Sequence, residues 1–212
     1  MRTSEADESL KPEIRSAVQI IRKGGVVAIP TDTLYGFAAC STNAIAVERV
    51  FELKRRPMDM PVPLLISDPE DIHKVASEVP PEALLAANYF WPGELTIILK
   101  KSPAVPDIVT SGRNTVGVRV PNHWIPRSIV KQLGSPITGT SANRHGEPSM
   151  PNAQSVKDDF GSEVDLVIDD GTTGNGTAST LIDFSSNRPV ILREGSISRI
   201  ELEEICKCGI DI

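Results

Sequence analysis

Gly24-Gly25-Val26-Val27-Ala28-Ile29-Pro30-Thr31-Asp32-Thr33-Leu34-Tyr35-Gly36 decides the fold class. The glycine pair stops the preceding element, four apolar residues follow, and Pro30 lacks the donor that a continuing strand would need. Residues 26–29 therefore read as a short buried strand. On the N-terminal side, Pro12 suits a first helical position, and Ile14, Ala17, Val18 and Ile21 follow helical spacing. A helix running into a buried strand, and then into a loop of hydroxyls and a carboxylate, begins an α/β domain. Such domains favour strand-end loops for their sites. Thr31, Asp32 and Thr33 suit that role, although turn capping by Asp32 is an equally simple reading.

The same alternation continues along the chain. Residues 44–53 predict a helix, with Ala46, Val47, Val50, Phe51 and Leu53 near one face. Strands are expected at 62–66, 95–99, 116–120, 165–168, 180–184 and 190–192, and helices at 70–76, 82–89, 125–133 and 153–159. Most of the 17 prolines and 15 glycines fall between these pieces, as punctuation. The alternation is too irregular for a simple doubly wound sheet. It predicts one α/β domain over residues 12–200, with a twisted mixed sheet and flanking helices. Residues 201–212 are expected as a C-terminal tail.

Composition narrows the function classes. With 40% hydrophobic and 24% charged residues, the chain is ordinary for a globular protein, and no apolar run reaches the ~20 residues of a membrane span. The polar N-terminus, residues 1–11, has no apolar core like that of a secretion signal. Cys40, Cys206 and Cys208 show no metal-ligand or redox spacing, and three histidines offer no metal cluster. A reducing cytoplasm is the expected compartment. The net charge of −6 argues against a dedicated nucleic-acid binder. RNA contact would need a local patch, such as Lys54-Arg55-Arg56 or Arg113 with Arg119, and would be weak and salt-sensitive.

Two stretches look like parts of one anion site. Lys54-Arg55-Arg56-Pro57 combines a mobile point charge and a planar fork, and the prolines after them stiffen the loop. Cations at a helix end that favour its dipole would look the same. Thr140-Ser141-Ala142-Asn143, with Pro148-Ser149 beyond, supplies small donors just past a strand-like segment at 135–137. Residues 174–180 form a second small-residue loop, and ordinary turn chemistry accounts for either loop taken singly. Phe90-Trp91-Pro92-Gly93 reads as a packed turn. Arg119 lies in an otherwise apolar strand, so it should face a cleft, an anionic substrate or an internal carboxylate such as Asp183. No Walker loop, dinucleotide fingerprint or nucleophile elbow is present. Positioning and charge neutralisation fit better than covalent catalysis.

Taken in order, these stretches resemble the YrdC family, the threonylcarbamoyl-AMP synthases. The matching pieces are residues 30–36, the K-x-R-P stretch at 54–57, Trp91-Pro92-Gly93 with Thr96, and Val118-Arg119-Val120-Pro121. Ser141-Ala142-Asn143, Pro148-Ser149, Ser179-Thr180 and Arg193-Glu194-Gly195 complete the set, which runs from about residue 25 to 195. The resemblance implies a concave, positively lined cavity in a single domain. It implies a reaction joining L-threonine, bicarbonate and ATP, with Mg²⁺ on the phosphates, into threonylcarbamoyl-adenylate and pyrophosphate. A partner transferase would then carry the group to adenosine in tRNA. By similarity, Lys54, Arg56, Thr115, Ser141, Asn143, Ser149 and Arg193 would hold ATP, with Lys54 and Arg56 at the catalytic centre. Thr33, Arg119 and Ser179 would hold threonine, and no protein-held metal is expected.

Three positions depart from the family pattern: Met60 where many members carry Asn or Lys, Val62 where Leu is usual, and Leu65 where some have His. The longer members' extra C-terminal domain is expected to be absent. The alternatives are a paralogue of other activity, a carbamoyl-adenylate former like the domain in hydrogenase maturation proteins, and an RNA-binding module.

Overall fold

A computed structural model of the chain describes residues 11–174 and 176–212. The polar N-terminal stretch up to residue 10, and Asn175 of the second small-residue loop, lie outside the described residues. The strands in chain order are β1 (Val27–Ile29), β2 (Gly36–Ala38), β3 (Leu64–Leu65), β4 (Leu95–Lys100), β5 (Thr115–Arg119), β6 (Ile137–Thr138), β7 (Thr140–Ser141), β8 (Leu166–Val167), β9 (Thr180–Asp183) and β10 (Val190–Arg193). The helices are α1 (Lys11–Arg22), α2 (Ala44–Lys54), α3 (Ile72–Val75), α4 (Pro81–Phe90), α5 (Asp107–Thr110), α6 (Trp124–Leu133), α7 (Ala153–Phe160) and α8 (Arg199–Cys206).

The strands form two mixed sheets, ordered β7-β2-β1-β8 and β10-β9-β4-β5-β3-β6. In the smaller sheet β1 runs antiparallel to β2, with Val27 opposite Ala38 and Ile29 opposite Gly36. It runs parallel to β8 on its other side. In the larger sheet β4 pairs antiparallel with β5 and parallel with β9. Helices α1 and α2 bury the stripes that their spacing predicts. Ile14, Ala17, Val18 and Ile21 of α1 are buried and pack with Ile125, Ile129 and Val130 of α6 in one cluster. A second cluster joins Leu95, Ile97 and Leu99 to Val116 and Val118 on the larger sheet. Trp91 belongs to the same cluster and donates from Nε1 to the Leu95 carbonyl at 2.7 Å, so the aromatic pair before Pro92 is a packed turn.

The chain crosses from one sheet to the other at Gly139. Strands β6 and β7 belong to different sheets and only Gly139 separates them. A Cβ at Gly139 would stand 2.6 Å from Leu65 Cγ, so a side chain there would have to displace Leu65 of β3. The Gly139 N–H instead donates to the Pro63 carbonyl at 2.8 Å.

Several elements differ from the sequence expectation. Strand β2 follows the Pro30–Tyr35 loop directly, where only a loop was expected; three residues are too few to display a period. The expected strand at 62–66 narrows to Leu64–Leu65. The expected helix at 70–76 divides into a 3-10 turn (Pro69–Asp71) and α3. Helix α5 and strand β7 were not expected as elements. Residues 201–212, expected as a tail, complete α8 and bury Leu202, Cys206 and Ile210 in the larger cluster. A spacing of four residues brings Leu202 and Cys206 to one side of α8, and Ile210 joins them from beyond the helix end at Cys206. The three cysteines are free thiols, and burial pushes the Cys206 thiol up to about 12. No helix among the described residues is long and apolar enough to cross a membrane.

Candidate active site

A cavity of about 500 Å³ opens where the two sheets meet. Of the residues proposed from sequence, Thr33, Arg56, Thr115, Arg119, Ser141, Ser149, Ser179 and Arg193 all line it. They come from the β1–β2 loop, the segment after α2, β5, β7 with the loop beyond it, the loop before β9, and β10. Met60, Val62 and Leu65, the departures from the family pattern, line the same cavity. Lys54 and Asn143 are not on its surface.

The K-x-R-P stretch divides its cations between two environments. Helix α2 ends at Lys54, and Arg55 takes a left-handed conformation, φ 49°. The Arg55 and Arg56 amides then donate to the Glu52 and Phe51 carbonyls at 2.9 Å each. This closing turn reverses the chain. Lys54 is left pointing into the protein, 2% exposed, while Arg56 lines the cavity. Arg56 donates from Nε to the Met60 carbonyl (3.0 Å) and from Nη2 to the Pro61 carbonyl (2.8 Å). Burial lowers its pKa below the ordinary guanidinium range. Burial, and secondarily the nearby Arg56 charge, pulls the Lys54 ammonium down to about 8.

Arg119 is held on three sides. Nε donates to the Gly93 carbonyl at 2.9 Å, Nη1 to Thr33 Oγ1 at 3.0 Å, and Nη2 to Asp32 Oδ1 at 2.6 Å. Its carboxylate partner is thus Asp32 and not Asp183, which lines the cavity and accepts from the Ser185 amide at 2.7 Å. Asp32 is therefore more than a turn cap. The sequence signal was the otherwise apolar strand around Arg119, which demands a partner without saying which one. Thr31, lying before Asp32, shares a hydrogen bond with Thr33 Oγ1 at 3.0 Å and accepts from the Leu34 amide at 3.1 Å. These contacts fix the rotamer of Thr33.

Arg193 reaches across from β10 to the start of β9. Its Nε and Nη2 donate to the Ser179 carbonyl at 3.1 and 2.8 Å, and Ser179 Oγ shares a 2.8 Å hydrogen bond with Thr96 Oγ1. Burial, with the charge of nearby Arg119 secondary, lowers the Arg193 pKa. Thr96 and Arg113 also line the cavity; from sequence Thr96 was only a motif residue, and Arg113 only part of a candidate RNA patch with Arg119. Gly195 packs on this corner: an added Cβ would meet the Ser179 carbonyl carbon and the Thr180 nitrogen, both at 2.7 Å. Gly195→Ala is expected to cost about 1–3 kcal/mol through overpacking against immovable backbone, measured as a lower urea midpoint. An unchanged midpoint would show that this corner yields.

Behind the cavity, Tyr35 ties the β1–β2 loop to the turn at 169–171. Its hydroxyl donates to the Gly171 carbonyl at 3.0 Å and accepts from the Asp170 amide at 3.3 Å. Burial raises its pKa to about 12, so the phenol stays a donor. Among the described residues, no group of three or more His, Cys, Asp or Glu side chains could hold a metal ion.

A mixed-sheet α/β domain with arginines and small hydroxyls around one deep cavity is a ligand-handling domain. The chain belongs to the Sua5/YciO/YrdC family, whose model, described as telomere recombination, matches residues 19–195. It is 42% identical over 193 residues to the threonylcarbamoyl-AMP synthase of Pyrococcus abyssi, covering 91% of this chain and 57% of that protein. The structure of P. abyssi Sua5 complexed with L-threonine superposes with a TM-score of 0.89 at 41% identity, covering 93% of this chain and 58% of that one. E. coli YciO superposes with a TM-score of 0.82 at 31% identity, covering 90% and 93%. The chain thus spans little more than half the length of the P. abyssi protein, and nearly all of YciO.

Proposed function

We propose that this chain is a threonylcarbamoyl-AMP synthase, converting L-threonine, bicarbonate and ATP into threonylcarbamoyl-adenylate, pyrophosphate and water. The observation that carries the reading is the meeting of two residue sets in one cavity. Thr33, Arg119 and Ser179 would take threonine, and Arg56, Thr115, Ser141, Ser149 and Arg193 would take ATP. The 41% identity to the protein crystallised with L-threonine supports the first set.

The chemistry suits these side chains. Threonine's amine adds to carbon dioxide or bicarbonate, giving a carbamate. The carbamate oxygen then attacks the α-phosphorus, and the bond to the leaving pyrophosphate breaks. Each step brings anions together, and fixed guanidinium groups around the cavity offset that repulsion without reorganising. Holding the reactants in register supplies part of the roughly 7–11 kcal/mol available to well-aligned reactions. No side chain needs to act as a nucleophile. Mg²⁺ is proposed to arrive on the phosphates of ATP, and no step here depends on a resident metal. The adenylate would pass to a transferase that acts on tRNA.

Pyrophosphate release is expected only when threonine and bicarbonate are both present with ATP and Mg²⁺. Equal release with either omitted, or none at saturating ATP, would assign the cavity to a different reaction.

A further inference from the structure

Lys54 carries an ammonium that the proposed chemistry does not reach. All three of its protons are used: Nζ donates to the Ser141 carbonyl at 2.6 Å, the Asn143 carbonyl at 2.9 Å and Asn143 Oδ1 at 3.2 Å. The same turn also closes the end of α2. The His145 amide donates to the Lys54 carbonyl at 2.6 Å, and Arg144 Nη1 to the Leu53 carbonyl at 2.6 Å. These are carbonyls that a helix end leaves without intrahelical partners. Asn143 completes the turn from inside. Its Oδ1 accepts from Ser141 Oγ at 2.5 Å, and its Nδ2 donates to the Arg144 and Glu147 carbonyls at 2.8 and 2.6 Å.

We infer that Lys54 is a positioning residue: its ammonium latches the turn at 141–147 to the carboxyl end of α2. It thereby sets the cavity wall that carries Ser141 and Ser149, without itself touching the nucleotide. The part of this inference that concerns nucleotide rests on the synthase reading; the latch does not. Arg56, two residues on, faces the cavity and would make the direct contact. One motif thus supplies a ligand-facing cation and a buried one that shapes the opposite wall.

The test compares Lys54→Met with Arg56→Ala by hydrogen exchange on the ligand-free protein, and by calorimetric titration with ATP and with L-threonine. In Lys54→Met the amides of Ala142, His145 and Glu147 are expected to lose at least about tenfold in protection. ATP affinity should fall about tenfold or more, as for loss of a hydrogen-bonded charge. Threonine affinity should hold. Arg56→Ala should weaken ATP while leaving those amides protected. Wild-type protection in Lys54→Met would overturn the latch, and a loosened turn with unchanged ATP affinity would overturn its service to the nucleotide. If Lys54→Met does not fold, Lys54→Arg is read against the same two outcomes, because it keeps the charge but cannot reproduce three converging bonds. The exchange measurement needs no substrate, so failure of the synthase assay leaves the latch separately decided.

Discussion

Arg119→Ala is expected to lower the free energy of unfolding by about 3–5 kcal/mol, because it leaves Asp32 as a buried carboxylate without its cation. The exposures decide the size of the effect: the two side chains are 8% and 11% exposed, so solvent screens the pair little. Asp32 Oδ2 already lacks any hydrogen-bond partner, so no second contact softens the loss. Urea melts of the single variants and the double Arg119→Met/Asp32→Leu variant check this. The double variant should recover much of the deficit, since an apolar pair of similar volume carries no stranded charge. A cost below about 1 kcal/mol, the range of exposed pairs, would show that the site is solvated. Arg119→Lys asks the functional question. It keeps the charge but cannot make three directed bonds to Gly93, Thr33 and Asp32, so threonine affinity should fall before ATP affinity does. Unchanged threonine binding, with only stability reduced, would confine Arg119 to its pairing with Asp32.

Arg56→Ala is expected to reduce turnover by about 10- to 150-fold, equivalent to the roughly 1.5–3 kcal/mol of one charge-assisted hydrogen bond. The guanidinium lines the cavity, and its two protein contacts are both to carbonyls, of Met60 and Pro61. No carboxylate neutralises it in those contacts, so its charge remains available to an anionic ligand. Truncation also frees the 57–61 segment, and a small drop in stability should accompany the loss of rate. Normal turnover would remove Arg56 from the phosphate site. Loss of the folded state would show that its carbonyl contacts matter more than its charge.

Much of this was legible in the chain. The stripe Ile14, Ala17, Val18, Ile21 and the run 26–29 specify a helix against a buried strand, because spacing alone says which side faces inward. The ends of the first helix and strand followed from Pro12, the glycine pair at 24–25 and Pro30. Most of the cavity's polar residues were recognisable as motif pieces, since hydroxyls and guanidinium groups in otherwise apolar or turn-forming contexts need a reason to be there.

Other features had no local signal. Strands β2 and β7 are three and two residues long and exist because partner strands satisfy them, so no window of sequence could display their period. Residues 201–212 were expected as a tail, yet Leu202, Cys206 and Ile210 found a core contributed by distant segments. The sequence does not say which of Lys54 and Arg56 faces the cavity. The left-handed turn at Arg55 and the carbonyls of Ser141 and Asn143 send one inward and the other into the cavity. Sequence alone determined which chemical groups are present and that Arg119 must have a partner. Only the tertiary structure made that partner Asp32, because pairing across 87 residues depends on where two strands end in space and not on any spacing along the chain.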